Sequence, residues 1–491
     1  MTVSARRALA WSFAERYAAF AIAVGSTLLL SRLLTPAQVG VYSLCAAMLA
    51  VTGVLRDFGV SEYLIQEKHI TPERQRAATG IALLAAWLLA ALVFGSRHAA
   101  AAYFEEPGVA AVLAVMALNL VLLPITSPAF ALMNREMAFR QIALLQTACS
   151  LVAASVALSL AVAGAGSISL AWGPVAGVLL QTLVLAWLRP RDVFVRPGLA
   201  LAMPVLRFGW MYMGARLIET AAKNVHDPVI AKQMDFDAVG LYSRANGMVE
   251  MFHSSVADAV VRVTTPAFAA DHRAGKPVGE AFARATGLFV SISWPFFGFV
   301  AITSDEIIRL MFGTQWAAAA PVATVLALAA IPGGLFELVP QLLSATGHVQ
   351  RRLRMSVWVA PFHIVGVLVA SSWGLQAIAA VSFFSSLVML ALCRQHLRAA
   401  LGMHMRDLLR PCAASAVLAA LVVAGMAGAA WGARGADAPA LVVLVATLAV
   451  GAALWWTLGR QMGHPACAEL LRAWQDVQRA RRERRQASGT P

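Results

Sequence analysis

Charge is scarce in this sequence: Asp, Glu, Lys and Arg together make up 13% of its 491 residues. Soluble domains carry about a quarter, so a chain this poor in charge cannot present a water-exposed surface all round. Acid is scarcer than base, 25 residues against 39, and lysine is nearly missing, since 35 of the 39 basic residues are Arg. The resulting net charge of +14 does not point to nucleic acid, because most of the Arg falls in short segments between apolar runs, where it reads as a topology signal. Cysteine is limited to five positions without ligand spacing. Cys45, Cys149, Cys393 and Cys412 fall in or beside apolar spans and Cys467 lies in the polar tail, so no disulfide, metal or other cofactor is expected. Long polar segments are also lacking. The longest connections, around Val60 to Arg76 and Arg189 to Met203, reach only about 20 residues, too short for a soluble domain.

What the chain has instead is a succession of apolar runs long enough to cross a bilayer, with a mean hydropathy of +0.71. The fold class expected is an all-α polytopic membrane protein with about 14 transmembrane helices. The spans centre on residues 9–33, 37–59, 77–96, 108–133, 141–163, 167–188, 204–231, 236–268, 282–304, 318–346, 355–373, 375–393, 408–430 and 439–459. Counting Lys and Arg in alternate connections together with the span ends that flank them gives 29 on the side of the N-terminus and 5 on the other. That asymmetry places both termini in the cytoplasm. Arg6 and Arg7, followed by a span containing Glu15 and Arg16, do not suit a cleavable signal, so the first span is read as retained. The Arg-rich tail is read chiefly as a solvated or membrane-surface segment.

The chain also echoes itself. AQVGVYSLCAAM at 37–48 and DAVGLYSRANGM at 237–248 share Val39/Val239, Gly40/Gly240, Tyr42/Tyr242, Ser43/Ser243 and Met48/Met248, all at an offset of 200. A second echo pairs RAATGI at 76–81 with ARATGL at 283–288. Six spans separate the copies, an even number, so the repeat is parallel, an arrangement transporters use with the substrate site at the repeat interface. The division expected is an N-terminal six-helix lobe at 1–190, a C-terminal six-helix lobe at 200–400, two additional helices at 406–460 and a basic tail at 461–491.

The few charges inside spans are the candidate site. RLIETAAKNVHDPVIAKQ at 216–233 sets Arg216, Glu219, Lys223 and Asp227 at helical spacings of 3, 4 and 4, one stripe on one face of a continuous helix. An ionisable group at the bilayer centre costs roughly 2.5 to 3.5 kcal/mol on insertion scales, so the stripe should line water or another helix. The offset of 200 pairs Arg16 with Arg216, two guanidiniums expected across a central cavity. Arg16, Arg216, Lys223, Arg244 and Arg262 are the candidate substrate-binding groups, since guanidinium forks match phosphate oxygens. Glu15, Glu219, Asp227, Glu250 and Asp258 are candidates for ion coupling, with His253 and Glu337 beside them. For any one of them a satisfied helix–helix contact is the commoner outcome, and Asp258 with Arg262 also reads as a structural i,i+4 pair. Pro228 should bend the seventh span near its outer end. GPVAG at 173–177 and PGGLFELVP at 332–340 are read as packing or hinge elements. The acidic pairs Glu105-Glu106 and Asp305-Glu306 are read as interfacial.

RLLTPAQVGVYSL at 32–44 and DFGVSEYLIQEKHIT at 57–71 resemble the opening signature of the polysaccharide-exporter and oligosaccharide-flippase family, within the multidrug/oligosaccharidyl-lipid/polysaccharide exporter superfamily. The resemblance implies alternating-access transfer of an undecaprenyl-diphosphate-linked oligosaccharide from the inner to the outer leaflet of a bacterial plasma membrane. It implies no enzyme activity, a lipid-linked substrate, and a polysaccharide polymerase and chain-length machinery as partners. Peptidoglycan lipid flippases have a similar layout with cavity arginines, a role open here to Arg16 and Arg216, with Arg56 or Arg244 as a third. Coupling to a sodium or proton gradient or to the membrane potential stays open. A multidrug/cation antiporter on the same architecture would want an acid-dominated cavity, and a membrane polymerase or ligase would want a sizeable outer loop.

Overall fold

The computed structural model describes residues 3–57, 59–60, 63–64, 71–198, 200, 202–469, 471, 475 and 478. Much of DFGVSEYLIQEKHIT and most of the Arg-rich tail, including ARRERR, lie outside them. Among the described residues the chain is helical, with no strand. Eleven helices are long and apolar enough to cross a membrane, so the chain is a multi-pass membrane protein. The other three expected spans are helical too, but are not among the eleven. They are α1 (Val3–Leu33), the pair α7 (Ala202–Asn224) and α8 (His226–Gln233), and the run through α9 (Phe236–Phe252) and α10 (Asp258–Arg273). These three carry the candidate charges.

Between α1 and α7 run α2 (Pro36–Asp57), α3 (Pro72–Phe104), α4 (Pro107–Arg135), α5 (Phe139–Val162) and α6 (Ser167–Leu188). Proline marks several starts because its missing N–H is unneeded in the first turn. The α3–α4 connection shows what the Glu105-Glu106 pair does. Glu105 adopts a left-handed conformation with φ 59° at the end of α3 and pairs with Lys232 at 3.0 Å. Glu106 caps α4, its carboxylate accepting from the Gly108 N–H at 2.9 Å. In GPVAG, a Cβ on Gly173 would stand 2.8 Å from the Ala153 carbonyl and one on Gly177 3.0 Å from that of Cys149. Small residues therefore let α5 and α6 touch backbone to backbone, and the motif is a packing element.

The chain divides into two compact units. The first runs to Arg244 and adds Met311–Trp316 and Ser356–Ile378; the second takes Ala245–Leu310, Ala317–Met355 and the chain from Ala379 on. This is a grouping by contact, whereas the six-helix lobes expected from the sequence are a grouping by symmetry.

In the second unit, α11 (Val278–Met311) is followed by a broken span: Pro332–Leu335 forms a 3-10 turn between α12 (Ala320–Ala330) and α13 (Val339–Ala345). Thus PGGLFELVP interrupts a helix rather than merely packing. Asp305 pairs with Arg309 at 2.8 Å, and Glu306 with Arg434 at 2.6 Å, giving the second acidic pair structural partners. Beyond α14 (Val349–Ala370) and α15 (Leu375–Leu401) come α16 (Met405–Gly435) and α17 (Ala440–Gln461). His464, in the connection after α17, ties this end together. Its Nδ1 accepts from the Ala466 N–H at 3.2 Å, so the ring proton sits on Nε2, which meets Ser415 Oγ at 2.8 Å. Ser415 in turn donates to the Gly287 carbonyl at 2.8 Å. Burial holds the His464 pKa below its ordinary value.

Candidate functional site

The expected stripe on the seventh span is shorter than its spacing suggests. The helix breaks at Val225 between α7 and α8, because a proline ring clashes with the carbonyl four residues back, here that of Asn224. Pro228 therefore interrupts the helix rather than bending it. Arg216 and Lys223 are exposed on α7, while Glu219 is half-buried and accepts from Ser356 Oγ at 2.7 Å. Asp227, beyond the break, leaves the stripe. It is buried, its Oδ1 has no hydrogen-bond partner, and His226 Nε2 stands 3.5 Å away. A carboxylate so enclosed gains from holding a proton or meeting a cation.

On α1, Glu15 and Arg16 are both half-buried. The eighth span is also interrupted: α9 passes into a π-helical turn, His253–Ala257, before α10 begins. Such single π turns widen a helix and recur at functional sites. Glu250 is half-buried; Asp258 and Arg262 are exposed. Within the second unit the turn brings His253 Nδ1 to 3.7 Å from Glu337 Oε1, two groups the sequence nominates separately.

Arg244 is held differently from the other candidate cations. Its guanidinium lies over the rings of Phe312, at 5.7 Å, and Trp316, at 5.2 Å. The same segment closes the C-terminal end of α1. Trp316 Nε1 donates to the Ser31 carbonyl at 2.8 Å, and Gln315 Nε2 donates to those of Ser31 and Leu34 at 2.6 and 3.1 Å. Helix ends carry carbonyls without intrahelical partners, and here distant side chains supply the donors. Sequence reading misses Gln315 and Trp316, and GTQW at 313–316 carries no recognisable signal for the contact.

The repeat is realised as a contact between its own copies. A Cβ on Gly40 would stand 1.9 Å from the Phe236 carbonyl oxygen, and one on Gly240 would stand 2.0 Å from that of Pro36. Neither position has room for a side chain, so the starts of α2 and α9 cross at backbone distance. Ser43 donates to Ser243 Oγ at 2.9 Å. Gly40 with Gly240 and Ser43 with Ser243, matched at the offset of 200, thus meet where the copies cross.

The profile of a family described as polysaccharide biosynthesis protein matches residues 29–321. The chain is 25% identical over 338 residues to the succinoglycan biosynthesis transport protein ExoT of Rhizobium meliloti, covering 67% of each chain. It is 23% identical over 353 residues to the lipopolysaccharide biosynthesis protein WzxC of Escherichia coli, covering 69% of this chain and 70% of that one. Among solved structures its fold is similar to that of the lipid II flippase MurJ in an inward closed conformation. The TM-score is 0.74 at 12% identity, over 93% of this chain and 99% of the other.

Proposed function

The chain belongs to the polysaccharide biosynthesis protein family, and on that premise we propose that it is a flippase for lipid-linked oligosaccharide. It carries an undecaprenyl-diphosphate-linked repeat unit from the cytoplasmic to the outer leaflet of a bacterial plasma membrane by alternating access, with both termini cytoplasmic. One observation carries this reading. The three expected spans outside the apolar set are those bearing Arg16, Arg216 with Lys223, and Arg244 with Arg262. Helices of that kind are stable in a membrane when their charged faces meet water or protein, and guanidinium forks displayed there match the oxygens of an anionic cargo.

In this mechanism Arg16 and Arg216 receive the diphosphate and Lys223 continues the cationic path, while the lipid tail stays in the bilayer. The protein's work is transport and not bond-making. The two acidic pairs nearest the expected outer face serve as caps and ion pairs, which gives both pairs structural roles. Asp227 is the coupling group this reading favours, because its enclosed carboxylate has an unsatisfied oxygen. That feature is also what a cation antiporter of the same fold would use, so drug sensitivity belongs in the test. A polymerase and chain-length machinery are the partners expected to take up the product.

The test is mass spectrometry of lipid extracts from a strain lacking the protein. An undecaprenyl-linked saccharide should accumulate and be cleared by the wild-type gene. No accumulation, together with new sensitivity to cationic dyes, would replace the flippase with the antiporter.

A further inference from the structure

We infer that the second unit holds a zwitterionic phospholipid of the cytoplasmic leaflet, in a cavity where α11 meets the start of α16. Arg284 takes the lipid phosphate and Glu280 its ammonium group. The cavity has a volume of about 680 Å³ and is bounded by the α10–α11 connection, the start of α11, the start of α16 and the connection after α17. None of the groups assigned to the cargo or to coupling lines it.

One face of α11 supplies much of the wall. Glu280, Ala283, Arg284, Gly287 and Leu288 line the cavity at helical spacing and so lie on one side of the helix. Met403, Pro411 and Pro465 add further apolar wall. The buried polar groups of the lining, Ser415 and His464, already satisfy each other and the Gly287 carbonyl, so they make no demand on a ligand. The charges differ in how far they are committed. Asp407 accepts from the His404 N–H at 2.9 Å as part of a helix cap, and Lys276 stands 3.9 Å from Asp271. Glu280 and Arg284 are exposed. Among the described residues no hydrogen bond or ion pair holds either of them, not even one between the two.

The order of these two charges selects the ligand. With cytoplasmic termini α11 starts at the cytoplasmic side, so Arg284 lies deeper than Glu280 by about 6 Å at the helical rise of 1.5 Å per residue. A phospholipid of the phosphatidylethanolamine type has the same order. Its phosphate adjoins the glycerol that bears the acyl chains, and its ammonium lies beyond, toward water. A guanidinium fork matches phosphate oxygens, and the Glu280 carboxylate accepts from the ammonium. Beyond Arg284 the lining turns apolar at Leu288, which suits the start of an acyl chain. Basic pockets between helices on the cytoplasmic side take lipid head groups; here the acid one turn nearer the water makes the pocket selective. A diphosphate would set a second negative charge against Glu280, so the cavity does not suit the cargo. The inference uses the proposed orientation but not the proposed substrate. A lipid seated here touches α11 and α16 together and joins them through a group that is not protein.

The experiment is mass spectrometry of the intact full-length chain released from detergent, after incubation with phosphatidylethanolamine and phosphatidylglycerol of the same acyl chains in equal amounts. The wild type should retain phosphatidylethanolamine in preference by roughly three- to tenfold, the worth of one partly exposed charged contact. Arg284→Gln should weaken retention of both lipids by a similar factor, and Arg284→Lys should recover part of it. Glu280→Gln should still retain phosphatidylglycerol while losing the preference for phosphatidylethanolamine. Loss of selectivity without loss of binding is not a folding defect. The inference is overturned if the wild type retains neither lipid or both equally, or if Glu280→Gln keeps the full preference. It is also overturned if an equal amount of farnesyl diphosphate displaces the phosphatidylethanolamine, which would assign the cavity to the cargo. The flippase reading stands or falls separately, on the lipid that accumulates in the deletion strain.

Discussion

Two of the residue pairs that share the offset of 200 meet different surroundings in the structure. Gly40 and Gly240 are equivalents in space as well as in sequence: each lies against backbone from the other copy, at 1.9 and 2.0 Å for a hypothetical Cβ. Arg16 and Arg216 are matched in sequence but differ in exposure, one half-buried on α1 and the other exposed on α7. The backbone crossing imposes the same steric limit on both copies, so both keep glycine. A charge on a helix face is constrained instead by whatever packs against it, and the copies are free to diverge. The repeat thus preserves a shared packing demand at the crossing and permits different environments for its charges.

The arginine pair offers the largest effect. Arg16→Ala/Arg216→Ala should lower export of the lipid-linked saccharide by roughly a hundredfold or more, since each guanidinium is worth about 1.5 to 3 kcal/mol to a bound anion. Lipid accumulation measured by mass spectrometry reads this directly, and wild-type export would sink the proposed cavity. The single variants sharpen the comparison. Lysine should serve at exposed Arg216 better than at half-buried Arg16, because a guanidinium held among neighbours relies on its planar fork. Equal tolerance at the two positions would mean that exposure does not distinguish them.

The serines beside the glycines test whether the crossing opens. With Ser43 and Ser243 Oγ 2.9 Å apart, a Ser43→Cys/Ser243→Cys pair is close enough for a disulfide, whose sulfurs lie about 2.0 Å apart. Oxidation should arrest export and a reductant should restore it. Undiminished export by the cross-linked protein would show that the crossing stays shut throughout the cycle. A third test probes equivalence. Gly40→Val and Gly240→Val should each destabilise the protein by roughly 1 to 3 kcal/mol through overpacking, and by similar amounts. Melting in detergent would expose a large inequality, which would break the symmetry argument.

Much of this architecture is legible in the sequence because the bilayer enforces it. Apolar runs and the arginine bias define spans, and the echo at 37–48 and 237–248 falls on the crossing itself. The interruptions are less accessible. Pro228 announces a disturbance, but the break falls at Val225, next to the Asn224 carbonyl at which the lost hydrogen bond and the clash act. The π turn at His253–Ala257 has only a serine pair as its cue, and the donors from Gln315 and Trp316 to α1 depend on segments far apart in the chain. For the candidate site, residue types and spacing nominate Arg244 but not its burial against aromatic rings, which depends on Phe312 and Trp316. Asp227 illustrates the reverse error: an ideal helix puts it on the exposed stripe, and one proline moves it inside.

The smallest effect comes from a charge pair without a repeat counterpart. Glu136 and Arg189 meet at 2.7 Å, while at the offset of 207 set by the second echo the matching positions are Leu343 and His396. The hydrogen bond from Arg189, opposed by partial desolvation and aided by its charge, holds the Glu136 carboxyl below its ordinary pKa. A depressed carboxyl pKa adds stability above the unfolded value and loses it as pH falls through the folded one. The Glu136 side chain is 50% exposed and that of Arg189 27%, so screening limits the contribution to about 0 to 1 kcal/mol. Glu136→Gln should therefore lower the melting temperature slightly at neutral pH, and that difference should fade as pH drops below about 4. Export should be unchanged. A loss of export at neutral pH would mean that this pair acts in transport despite lying outside the repeat, and the contrast between repeated packing and unrepeated charge would have to be redrawn.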